Sequence, residues 1–164
     1  MTISEYIAIA FPAIFFILNP FSAAASFMAL TRNRTEAEQK RTAKRACWTA
    51  FLVLLFFALC GHLIFKFFNI TVPAFRIAGG IIIFSIGMNM LRFEPVRIKQ
   101  TDEEMKAGTE KGDVSIVPLG IPMMSGPGAI STVMVLMGND LQWTHAIGLI
   151  TCCAVSVILI YVIL

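Results

Sequence analysis

The sequence predicts an all-α protein that crosses a membrane several times. Its expected plan is an inverted repeat of three-helix units with broken first helices, the second unit lacking its last helix. Three observations carry this. First, 57% of the 164 residues are hydrophobic and 14% charged, with a mean hydropathy of +0.79, too little polar surface for a soluble domain of this length. Second, the apolar residues come in blocks, several of them near the roughly 20 residues that a helix needs to cross the hydrocarbon core. Third, the charges are gathered between the blocks. Of the chain's 13 basic residues, Arg32, Arg34, Lys40, Arg41, Lys44 and Arg45 lie in "TRNRTEAEQKRTAKR", and Arg92, Arg97, Lys99, Lys106 and Lys111 lie between Arg92 and Asp113.

The first span is drawn from Tyr6 to Leu30. It has no basic residue before it, carries Glu5 in front and exceeds the length of a signal's apolar core, so it is expected to stay in the mature protein. Within it, "FILNPFSAAAS" sets Asn19 beside Pro20 in the middle of the apolar run. Proline has no backbone N–H and its ring collides with the preceding turn, so the helix is expected to break there and leave the Phe16 carbonyl without its usual donor. The second span runs from Ala46 to Phe68, with His62 and Lys66 toward its outer end. A turn, "NIT", leads to the third span, Val72–Leu91, for which Thr71 and Pro73 suit a helix start. Arg76 has two readings: it snorkels to the outer interface, or it is a fixed cation facing the bundle interior. No acid lies in any span to pair with it. Gly79, Gly80 and Gly87 read as close-packing positions, and Asn89 as a hydrogen-bonding group between helices.

Residues 92–113 form the only long polar segment in the second half, a cytoplasmic linker with a short surface helix expected around Thr101–Ala107. Span four is Val114–Met137 and span five Gln142–Leu164, with His145 one turn inside span five beside Trp143. The organisation is therefore a first unit at 1–91, a linker at 92–113 and a second, incomplete unit at 114–164. Basic loops stay cytoplasmic, which places the N-terminus outside. The basic loops read as this topology signal, with no nucleic-acid role. The four cysteines all fall in apolar spans without metal-site spacing and read as small hydrophobes. No metal site, cofactor, nucleophile–base pair or phosphate-cradling motif is implied, so no enzyme is expected.

Spans one and four share a pattern. "FPAIFFILNPFSAAASFMALT" and "VPLGIPMMSGPGAISTVMVLM" each carry an early proline, Pro12 or Pro118, and a central break, Asn19–Pro20 or Gly126–Pro127–Gly128. Small and hydroxylated residues follow, then Met-x-Leu. The charge argument has span one entering from outside and span four from the cytoplasm. Broken helices at matching places in two inverted halves point to a transporter's binding site at the bilayer midplane. Backbone freed by such breaks is tolerated only inside protein or beside a wet cavity, and each half-helix N-terminus then offers donors and a positive dipole end. Asn19, Pro20, Ser22, Gly126, Pro127, Gly128, Ser131 and Thr132 are the candidate substrate-binding residues, with Arg76 added on its second reading. Ser125 belongs to the same group of hydrogen-bonding side chains.

"NPFSAAASFMALT", the basic loop after it, "FRIAGGIIIFSIGMNML" and "VPLGIPMMSGPGAISTV" together resemble the MarC-like integral membrane proteins of bacteria, over nearly the whole chain. The resemblance implies an inner-membrane protein of six helices in two inverted halves, grouped with small neutral amino-acid transporters and more distantly with LysE-like exporters. It implies a binding role for Asn19, Pro20, Gly126, Pro127 and Gly128, and less directly for Arg76. Where such proteins continue into a sixth helix this chain stops at Leu164, so a truncated form, or a partner or second copy supplying that helix, is expected. The leading expectation is a secondary transporter or exporter of a small neutral solute, an amino acid first among them. The alternatives are a non-transporting membrane subunit or scaffold and an ion or metal-ion permease. The absence of acids in the spans weighs against the permease, because hard cations prefer carboxylate ligands.

Overall fold

A computed structural model of the chain describes residues 2–32, 34–91, 124–138 and 143–164. These residues form helices and no strand: α1 (Ile3–Ile17), α2 (Pro20–Thr31), α3 (Glu36–Phe67), α4 (Val72–Leu91), α5 (Pro127–Met137) and α6 (Trp143–Ile163). The linker with its expected helix at Thr101–Ala107, the stretch from Val114 to Met123 and the turn at 139–142 lie outside the described residues, as does the side chain of Asn89. Among the described residues, three stretches are long and apolar enough to cross a membrane: Ile3–Thr31, Glu36–Phe67 and Trp143–Ile163.

The helix ends follow from local chemistry. "TISE" opens α1 with a capping box: the Thr2 hydroxyl accepts the Glu5 N–H and the Glu5 carboxylate accepts the Thr2 N–H at 2.8 Å. "TEAE" does the same for α3 through Thr35 and Glu38. That second box starts α3 ten residues before the apolar block. The segment expected as a basic loop is therefore mostly the first turns of a 32-residue helix, continuous because Glu, Ala, Gln, Lys and Arg are strong helix formers. At its far end Asn69 takes the left-handed conformation (φ 54°). The Ile70 N–H then donates to the Phe65 carbonyl at 2.9 Å and the Asn69 N–H to Lys66 at 3.4 Å, the paired bonds of a Schellman stop. Thr71 opens α4 as its sequence predicts, its hydroxyl accepting the Ala74 N–H at 3.4 Å.

Small residues face inward and large ones outward. The buried stripe of α3 is dominated by Ala43, Ala46, Cys47, Ala50, Ala58 and Gly61, and that of α6 includes Ala146, Gly148, Cys152, Cys153 and Ser156. Phe21, Phe67 and Val162 are at least 76% exposed. This distribution would be costly in water and is suited to lipid, where close backbone approach and not apolar burial drives packing.

Helices α1 and α6 run side by side in the same direction. The Tyr6 ring lies 4.7 Å from that of His145, and a Cβ on Gly148 would meet Ile3 and Tyr6 within 3.6 Å. Helix α5 runs opposite to α1 and wedges against three neighbours. Its Leu136 carbonyl accepts the Tyr6 hydroxyl at 3.1 Å, its Met134 covers Gly61 of α3, and its Ser131 covers Gly79 of α4. Of the three glycines expected to pack on α4, Gly79 alone does so among the described residues. Among the described residues nothing lies within 4 Å of a Cβ placed on Gly80 or Gly87, because the face of α4 turned to α5 is the one carrying Gly79 and Ile83.

Candidate functional site

The first break is built by two residues. Asn19 adopts φ 50°, ψ 68°, left-handed geometry that asparagine tolerates better than other side-chain-bearing residues. The chain thereby leaves α1 and re-enters a helix at once, with Pro20 at the first helical position, where its missing N–H costs nothing. Asn19 also caps α2: its Oδ1 accepts the Ser22 N–H at 3.2 Å and its carbonyl accepts the Ala23 N–H at 3.0 Å. The Phe16 carbonyl is not left open as the proline alone would predict, since it accepts the Asn19 N–H at 3.1 Å. Proline by itself does not set the break. Pro12 lies inside α1, which continues through it; what differs at 19–20 is the left-handed residue in front.

The second expected break falls at the start of α5, and the chain before Met124 lies outside the described residues. Gly126 is the N-cap in extended geometry, Pro127 takes the first helical position, and no side chain caps the helix. Gly128 and Ala129, whose N–H groups belong to the uncapped first turn, are buried, as are Met124 and Ser125 before them. The bond that Pro127 denies to the Met123 carbonyl lies outside the described residues.

The antiparallel packing of α1 and α5 brings these breaks to the same level. A Cβ on Gly128 would stand 3.4 Å from Ile17 Cδ1, at the end of α1, and 3.7 Å from Ile83 Cγ1 of α4. Three helix ends thus converge: the carbonyl end of α1 and the N–H ends of α2 and α5. Opposite dipole ends meet there, partly positive at α2 and α5 and partly negative at α1. Two apolar side chains, Ile17 and Ile83, lie against the start of α5 there. Three surface grooves elsewhere on the bundle include no residue of either break.

Of the expected site residues, Gly128 at the start of α5 meets Ile17 at the end of α1; Asn19, Pro20 and Ser22 follow Ile17 along the chain, and Gly126 and Pro127 precede Gly128. Thr132 is one turn along α5, its hydroxyl donating back to the Gly128 carbonyl at 2.9 Å. Ser131 is buried and turned to α4, 3.2 Å from a Cβ on Gly79. Arg76 is exposed on α4, about 10 Å of helix rise from Ile83. The polar side chains expected to complete a solute's hydrogen bonds are thus partly engaged already: Asn19 Oδ1 as a cap, Thr132 within its own helix. Sequence reasoning missed Ile17 and Ile83, because an isoleucine in an apolar run carries no signal of which helix it will meet. Among the described residues no group of His, Cys, Asp or Glu side chains could hold a metal ion.

Comparison with known proteins bears on this arrangement. A family model described as MarC family integral membrane protein matches residues 4–164. The membrane protein YvbG of Bacillus subtilis is 41% identical over 133 residues, 80% of this chain and 63% of the relative. A membrane protein of Aquifex aeolicus is 36% identical over 129 residues, 79% and 60% of the two chains. One from Methanocaldococcus jannaschii is 39% identical over 135 residues, 82% and 65%. The aligned part of this chain thus spans under two thirds of the length of these relatives. No solved structure matches the chain.

Proposed function

The chain belongs to the MarC family of integral membrane proteins, and from that premise we propose that it works in the inner membrane, N-terminus outside, as a secondary transporter or exporter of a small neutral solute, an amino acid first among the candidates. The observation that carries this reading is the meeting of a helix end and a helix start on oppositely running helices, with Ile17 at the end of α1 3.4 Å from the Cβ position of Gly128 at the start of α5. Half-helices that end against one another in the bundle are the recurrent way a transporter holds a polar solute where lipid could not.

A zwitterion matches the polarity of the juncture. Its carboxylate suits the N–H ends of α2 and α5, and its ammonium the last carbonyls of α1. On this reading the two breaks belong to inverted halves, and the juncture, closed by Ile17 and Ile83, is an occluded state. Solute enters when α1 and α5 part at that level.

The test is flux of labelled glycine, alanine, serine and threonine in proteoliposomes holding this chain and, in parallel, the longer Bacillus subtilis relative. Flux of at least one is expected in the relative. No flux of any of the four in either protein ends the amino-acid reading. Pro20→Ala and Pro127→Ala are expected to alter flux more than protein level. Loss of flux and protein level in equal measure would assign the prolines to folding.

A further inference from the structure

Two grooves at the basic end of the bundle share one residue and one chemistry. Between α3 and α6 runs an apolar groove of about 470 Å³, walled by Trp48 and Phe51 on one side and Val157 and Ile158 on the other, with Lys44 and Tyr161 at its mouth. Tyr161 also lines the adjoining groove of about 370 Å³, whose lining includes Glu36, Lys40 and Val162. Lys40 and Lys44 are one turn apart on α3 and therefore on one face, and they flank the same tyrosine. Both lysines are exposed, and Trp48 is 62% and Tyr161 41% exposed. Trp and Tyr favour the headgroup level of a bilayer, so the lysines stand at the phosphate layer and the groove below them at the depth of acyl chains.

We propose that this face holds an anionic diacyl phospholipid, its phosphate paired with Lys40 and Lys44 and one acyl chain lying in the groove between α3 and α6. Charge and depth choose this occupant together. The apolar groove alone would take any lipid tail, and the lysines alone any phosphate. Their vertical order, two cations at the mouth of an apolar channel with amphipathic rings between, fits a molecule with an anionic head and a hydrocarbon tail. Basic groups at a membrane surface favour anionic over neutral lipid by roughly fivefold per lysine. Glu36, at the water side of Lys40, tempers this without reaching the groove that Lys44 guards.

The chain's two tryptophans, Trp48 and Trp143, make the test specific, since they start α6 and line the groove at opposite ends of the bundle. In the full-length W143F variant, Trp48 fluorescence is quenched by brominated-chain phospholipids in vesicles of phosphatidylcholine with one tenth phosphatidylglycerol. Brominated phosphatidylglycerol is expected to quench Trp48 at least fivefold beyond its mole fraction, with no such preference at Trp143 in W48F. Lys40→Gln with Lys44→Gln is expected to remove the preference while circular dichroism stays unchanged, and Lys66→Gln, at the other end of α3, to leave it intact. Equal quenching by the two brominated lipids, or a preference that survives the double variant, overturns the proposal. Relief of quenching by millimolar soluble glycerol phosphate also overturns it, because the site would then read phosphate and not lipid.

Discussion

At the scale of single residues, the first break depends more on Asn19 than on Pro20. The proline is accommodated at the first position of α2, whereas the left-handed backbone of Asn19 turns the chain and its side chain caps the next helix. Asn19→Ala should therefore lose the cap and incur the left-handed penalty, together roughly 2 kcal/mol. Asn19→Gly should cost only a few tenths, since glycine enters that region freely. Denaturant unfolding in detergent compares the two, and equal losses would show that the turn geometry is not what asparagine supplies. The α4 glycines give a second contrast. Gly79→Ala puts a methyl 3.2 Å from Ser131 Cβ and should destabilise by about 1 kcal/mol through overpacking. Gly80→Ala meets nothing among the described residues and should stabilise by roughly 0.5–1 kcal/mol through helix propensity. Thermal unfolding that moves in the same direction for both would contradict the packing of α4 on α5.

At the scale of elements, α3 shows how a short polar signature extends a membrane helix into water. The Thr35 N–H and hydroxyl both donate to one carboxylate oxygen of Glu38 at 2.9 Å. These bonds, with a smaller contribution from Arg34, hold the Glu38 carboxyl below its ordinary range. A carboxyl whose pKa is lowered on folding adds stability that is present above its unfolded pKa and is lost as pH falls through the folded one. Thermal unfolding of wild type and Glu38→Gln should thus differ near neutral pH and converge as pH drops below about 4. A constant gap across that range would mean the box works without the charge. The connection before α3 is held as well: the Thr31 carbonyl accepts the Arg34 N–H at 2.9 Å and the Gln39 amide at 3.0 Å. A rigid entry here fixes where Lys40 and Lys44 stand on the bundle.

At the scale of the whole molecule, α5 is the element on which the others converge. It meets α1 through the Tyr6 hydroxyl and Leu136 at one end and through Ile17 and Gly128 at the other, with α3 and α4 packed on its remaining faces. If transport needs α1 and α5 to part at the breaks, tying them should stop it. With the four native cysteines replaced, Ile17→Cys and Gly128→Cys should be bridged by a short bis-methanethiosulfonate reagent. Flux is expected to fall at least tenfold on bridging and to return on reduction. Bridging without loss of flux would put the moving parts elsewhere; a pair that cannot be bridged would contradict the packing.

The membrane class, the break at Asn19–Pro20 and the starts of α4 and α5 were legible in the sequence, because composition, proline chemistry and capping are local and need no knowledge of neighbours. The length of α3 was misread, since its charged turns look like a loop until the Thr35–Glu38 box is recognised as a helix start. Partners were another matter. That Gly79 packs while Gly80 meets nothing among the described residues, that Ser131 turns to α4, and that isoleucines at 17 and 83 meet Gly128 all depend on which faces of three helices meet. A single helix has no preferred azimuth until its neighbours are in place. By itself the sequence determined where α1 ends and where α2 and α5 start; the antiparallel docking of α1 and α5 decided that the end of one meets the start of the other.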